Sequence, residues 1–113
     1  MPDSKEIKIY LSDIERSIRE IFDFLPEKRD FLEFQKDLKA RKAIERNIEI
    51  IGEAMNRILK ADNTISITNA RKIVDTRNYV IHGYDTLTAD ILWSIVVNHL
   101  PLLKNEIEDL LIF

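Results

Sequence analysis

Cysteine is absent from the chain. That excludes disulfides, thiolate metal sites and a cysteine nucleophile, and it is compatible with a reducing compartment. Long apolar runs are also missing. The greasiest stretch, ILWSIVVNHLPLL, is broken by Ser, Asn and His and is too short for a membrane span. The first residues, MPDSKEIK, carry no apolar signal core, so the expected location is the cytoplasm. Histidine occurs twice, at His82 and His99. The two are far apart in sequence and have no carboxylates clustered at ligand spacing, so no metal site is expected. Only two glycines occur, Gly52 and Gly83. No segment alternates like a strand, and there is no repeat, low-complexity tract or linker.

What is present fits a soluble globular chain: 45% hydrophobic and 33% charged residues. A length of 113 residues suits one domain, 1–113. Such a chain buries roughly two-thirds of its unfolded surface and folds without staples. Net charge is −3, a weak argument against a general nucleic-acid binder. The distribution says more. From Lys36 to Arg77 there are ten Lys/Arg and six Asp/Glu, a local balance of +4. The rest of the chain holds seven basic and fourteen acidic residues. A basic middle between acidic flanks can guide a phosphate backbone, although ordinary helix-surface charge also explains it.

Helical periodicity dominates. Ile7, Tyr10, Leu11, Ile14, Ile18, Ile21, Phe22 and Leu25 recur at spacings of three and four. Asp3 and Glu6 resemble a capping box, and Pro26 ends the helix. Phe31 and Phe34 predict a short helical turn. A long helix is expected from about Asp37 to Lys60, with its stripe at Ile44, Ile48, Ile51, Met55 and Ile58. Within it, Gly52 and Ala54 leave a shallow face for close helix packing, inside the monomer or across a dimer. ADNTISIT reads as a loop, with Thr68 as N-cap of the next helix. That helix carries Ala70, Ile73 and Val74 and is expected to stop at Gly83. Thr88 caps a last helix carrying Ile91, Leu92, Ile95, Val96 and Leu100. Pro101 should kink or restart it before Leu103, Ile107 and Leu110 continue the stripe. The expected fold is all-α: an up-and-down bundle of four main helices plus a short extra helical turn. In that bundle Trp93 and His99 are expected to pack rather than bind.

One stretch concentrates polar chemistry. Residues 77–84 read RNYVIHGY. Arg77 and His82 are five residues apart, about 140° of rotation and about 7.5 Å of rise on an ideal helix. They share no tight stripe, yet both reach a common cleft if the helix lies at an interface, and a twofold axis would double the set. Histidine moves protons near neutral pH, and arginine grips phosphate bidentately. The pair suits attack of an RNA 2′-hydroxyl on its own adjacent phosphodiester, with His82 as general acid or base and Arg77 stabilising charge. By themselves, two residues at this spacing leave structural and surface roles open.

The whole pattern resembles the HepT-like branch of the HEPN superfamily, the toxin half of HEPN/MNT toxin–antitoxin pairs. Four stretches in order carry the resemblance: YLSDIERSI, RNIEIIGEAMNRI, RNYVIHGY and ILWSIVVNHLPLLKNEIEDLL. Its Arg-x4-His-x-Tyr pattern is met by Arg77, His82 and Tyr84, with Asn78 in the usual polar position and Gly83 inside the motif. Many relatives carry a Trp, often after a Pro, at the start of the motif helix; SITNARKIV here has neither. The resemblance implies a HEPN-like bundle and a homodimeric, metal-independent endoribonuclease that needs no cofactor. It makes Arg77 and His82 catalytic. It also implies an MNT-type nucleotidyltransferase antitoxin that silences the toxin by adding AMP to Tyr84. Two other readings stand beside it: a non-catalytic subunit that binds the nucleotidyltransferase or its substrate, and a plain dimerisation bundle. The intact Arg, His and Tyr triplet favours the ribonuclease.

Overall fold

The computed structural model describes residues 4–25, 30–81 and 89–112, and these contain helices and no strand. Helix α1 spans Ser4–Phe24. Its stripe is buried as the periodicity requires, with Ile14, Ile18 and Ile21 fully enclosed. The opposite face carries Arg16–Asp13 and Arg19–Glu15 pairs at 3.1 and 2.9 Å, each worth a few tenths of a kcal/mol at most. Asp3, Pro26, Gly83 and Thr88, expected to punctuate the helices, lie outside the described residues.

Asp30 caps α2, Phe31–Lys36, by accepting the Leu32 and Glu33 amides at 3.0 and 3.5 Å. Asp37 then serves two helices. Its amide donates to Phe34 and closes α2, while its carboxylate accepts the Ala40 amide at 3.0 Å and opens α3, Leu38–Ala61. This double use lets the chain turn sharply with no linker. Along α3 the expected stripe is buried, and so are Gly52 and Ala54, so the close-packing face is used within the monomer.

Residues 62–69 turn the chain. The Asp62 carboxylate accepts both the amide and the hydroxyl of Thr64, which holds its pKa below the usual carboxylate range. Ile67 is buried beneath the loop. Thr68 is not the cap expected of it. Its amide and hydroxyl each donate to the Glu106 carboxylate at 3.0 Å, so its hydroxyl is engaged 38 residues away. The first bond of α4, Ala70–Ile81, runs from the Ile73 amide to the Asn69 carbonyl at 3.1 Å. Asn69 has φ of 62°, a left-handed conformation that Asn tolerates better than most residues.

The last long element has two α segments, α5 (Ala89–Ser94) and α6 (Leu100–Ile112), joined by a π turn at Ile95–His99. The Leu100 amide reaches back five residues to the Ile95 carbonyl. Pro101 gives the physical reason. In a regular helix its ring would meet the carbonyl four residues back and leave it without a donor. The wider turn makes room, and the helix passes the proline without breaking.

α1 packs on α3 and α6, α3 packs on α4, and α2 bridges α3 and α5. α1, α3, α4 and the α5–α6 composite are the four main helices, with α2 the extra turn, as expected. One hydrophobic cluster contains residues of all six helices. Each fully buried Ile or Leu in it contributes about 1.5–3 kcal/mol relative to an exposed one. Trp93 anchors the α2 side, with its ring 5.8 Å from Phe31 and 5.2 Å from Phe34. Among the described residues no helix is long and apolar enough to cross a membrane.

Candidate active site

Helix α4 delivers the polar motif. Ala70 and Val74 are buried and Ile73 is half-buried, so the inward face of the helix is set by its first two turns. The α4 backbone is helical through Arg77 and Asn78. The side chains of these two residues, and the whole of His82, Gly83 and Tyr84, lie outside the described residues.

Neighbouring elements fix where α4 points. α4 packs against α3. Ile73 shares a small apolar cavity with Ile48 and Ile51 of α3, and with Ile95, Leu100 and Leu103 of the last helix. Arg77 lies one turn beyond Ile73, about 6 Å along the helix axis. His99 borders the same cavity but is exposed, which corrects the expectation of a packed histidine. The π turn ends at His99 and leaves only one flank of it against apolar neighbours.

The first half of α3 is rich in charge. The Arg41 guanidinium donates to the Gln35 carbonyl at 3.2 Å, while its Nε is buried with no hydrogen-bond partner among the described residues. Burial pushes the Glu45 carboxyl up, against the opposing pull of Arg41 and Lys42, and Glu49 adds to the rise. Sequence reading caught this region only as a local charge balance. Its signal, five cations in eleven residues from Lys36 to Arg46, was present but had no place on the fold.

A second groove, of about 360 Å³, runs between α1 and α3 beside Tyr10, Asp13, Arg46, Ile50 and Arg57. Its charges are largely spent on one another. Arg57 Nε pairs with Glu53 at 3.1 Å, and Arg46 pairs with Glu49 at 3.4 Å. A hydrogen bond to Tyr10, and then one to Glu53, holds the Arg57 guanidinium further into its charged range. Glu53 is therefore a surface ion-pair partner. Among the described residues no three His, Cys, Asp or Glu side chains group to hold a metal ion.

The model of the family described as ribonuclease HepT-like matches residues 14–110, from the middle of α1 to the last turns of α6. The chain belongs to the ribonuclease HepT-like family. Two Methanocaldococcus jannaschii proteins that carry RNase in their names are similar to it. One is 32% identical over 95% of this chain and 88% of its own length. The other is 33% identical over 92% of this chain and 95% of its own. A Thermococcus cleftensis protein whose name includes ribonuclease HepT is 34% identical over 91% and 94%. No solved structure matches significantly. The match spans every element that positions the motif, and ribonuclease is the enzyme class of this HepT-like chain.

Proposed function

We propose that this HepT-like chain is a metal-independent endoribonuclease toxin in which Arg77 and His82 cleave RNA. One observation carries the reading: the intact Arg77-x4-His82-x-Tyr84 triplet in a chain of the ribonuclease HepT-like family. His82 accepts the proton of a ribose 2′-hydroxyl, and the freed oxygen attacks the adjacent phosphorus. The bond to the 5′ oxygen breaks, and that oxygen leaves with a proton. The products are a 2′,3′-cyclic phosphate and a 5′-hydroxyl. Charge gathers on the phosphoryl oxygens during attack, and Arg77 is the permanent cation placed to hold it. Asn78 and Gly83 support the motif. A homodimer brings two copies of the motif to one cleft.

Tyr84 is the group through which the enzyme is silenced. A partner nucleotidyltransferase of the MNT type transfers AMP from ATP to its hydroxyl and releases pyrophosphate. The added phosphate competes with RNA for Arg77. Incubation with that partner and ATP adds the mass of an adenylyl group, and Tyr84→Phe abolishes the addition. The same modification on the Phe variant would refute the assignment.

RNA cleavage by purified, unmodified protein, beside His82→Ala prepared identically, tests the catalytic reading. Loss of a general acid–base group costs about 10²–10⁴-fold in rate. Equal cleavage by both proteins would remove His82 from the mechanism. No cleavage by either, on several RNA classes, would favour a non-catalytic subunit.

A further inference from the structure

We propose that the surface running from the end of α2 through the first half of α3 binds the RNA backbone beyond the scissile phosphodiester. Lys36, Lys39 and Lys42 are its contacts. This rests on the reading of the chain as an RNA-cleaving enzyme.

Charge and its compensation carry the argument. Residues 36–46 hold five cations and two carboxylates. The Asp37 carboxylate is engaged in capping α3. That of Glu45 is half-buried, with burial opposing its ionisation. Glu45 offsets part of the charge of Arg41 and Lys42, which leaves Lys36 and Lys39 as the least compensated cations of the stretch. Lys36, Lys39 and Lys42 are exposed; among the described residues no ion pair engages Lys36 or Lys39, while Lys42 interacts with the Glu45 carboxylate one turn away. Arg16 and Arg19 of α1 are, by contrast, each tied to a carboxylate one turn away. A cation left without a partner keeps its full capacity to displace counterions from a polyanion.

Shape and position add to this. A cleft of about 310 Å³ is lined by Leu38, Arg41, Lys42, Glu45, Arg46 and Glu49. Arg41 lines this cleft while its guanidinium donates to the Gln35 carbonyl. α4 packs on α3, so a strand whose scissile phosphate is held by the motif helix passes close to α3.

The test measures binding of a labelled single-stranded RNA to the full-length protein across a salt titration. His82→Ala is the background, so that no substrate is consumed. Each phosphate contact on a single strand contributes about 0.7 to the slope of log affinity against log salt. The combined Lys36→Gln, Lys39→Gln and Lys42→Gln variant is expected to lower that slope by about 2. Glutamine is a good helix former, so the helices persist. A control removes the same charge from α1 through Lys8→Gln, Arg16→Gln and Arg19→Gln, and its slope should match the parent. An unchanged slope in the α3 variant, or equal falls in both, would overturn the proposal. Failure of the ribonuclease reading shows separately, as absence of cleavage by the protein with His82 intact.

Discussion

The seam between α1 and α3 and the corner where α4 meets the last helix are built by different means. The seam is almost pure isoleucine. Ile14, Ile18 and Ile21 on one helix face Ile44, Ile51 and Ile58 on the other, all essentially without exposure. No polar device is needed there, because two clean stripes on long helices settle register and depth together. The corner depends on particular devices: a left-handed Asn69, a Glu106 carboxylate holding Thr68, a π turn before Pro101 and an exposed His99. The seam is scaffold. The corner sets the origin and direction of α4, the helix that carries the polar motif.

That contrast is sharpest in stability measurements. Ile18→Ala, deep in the seam, should cost about 2–5 kcal/mol by urea or thermal unfolding, through lost transfer energy and the cavity left behind. A loss below 1 kcal/mol would mean that the seam is not the scaffold. Trp93→Ala should cost about 2 kcal/mol, less than a fully buried ring would, because Trp93 is only half-buried between α2 and α5. Glu106→Ala should cost about 1 kcal/mol, since its bonds to Thr68 are charge-assisted but solvent-exposed. Its larger effect should be local, as faster amide exchange at Thr68 and through residues 62–69. Unchanged exchange there would show that the loop is held by its own sequence, as the seam is.

The smallest effect concerns Glu45. Folding raises its pKa, so the native state holds that proton more tightly than the unfolded chain does. Its contribution to stability is present below the ordinary value near 4.5 and is lost as pH rises through the raised value. Glu45→Gln should flatten that part of the stability–pH curve. At neutral pH it should leave stability equal or a few tenths of a kcal/mol higher, because the group is largely solvent-screened and Arg41 loses its attraction. Unfolding midpoints at acidic and neutral pH check this, and an unaltered slope would contradict it.

The same contrast explains what could be read from the sequence. The seam was legible because its information is local: apolar residues at spacings of three and four determine helix, face and burial at once. The long helix was expected from about Asp37, and the structure starts it at Leu38 with Asp37 as its cap. The corner was less legible because its determinants are distant. Thr68 has the side chain of an N-cap, but Glu106, 38 residues on, takes both its donors, and Asn69 begins the helix. Pro101 announced an irregularity without saying that a π turn would absorb it. The motif RNYVIHGY was visible as a concentration of polar chemistry, and resemblance gave its residues their roles. The cations of residues 36–46 were countable, but only the packing of α4 on α3 brings their helix against the one that carries the motif.

The most direct test of the catalytic account compares an RNA with its fully 2′-O-methylated counterpart. Each is incubated with purified, unmodified protein in the presence of a chelator. The account predicts cleavage of the RNA to 2′,3′-cyclic phosphate ends and an intact methylated strand, because the attacking hydroxyl has been removed. Cleavage of the methylated strand, or RNA cleavage that the chelator abolishes, would contradict a metal-independent attack by the 2′-hydroxyl at Arg77 and His82.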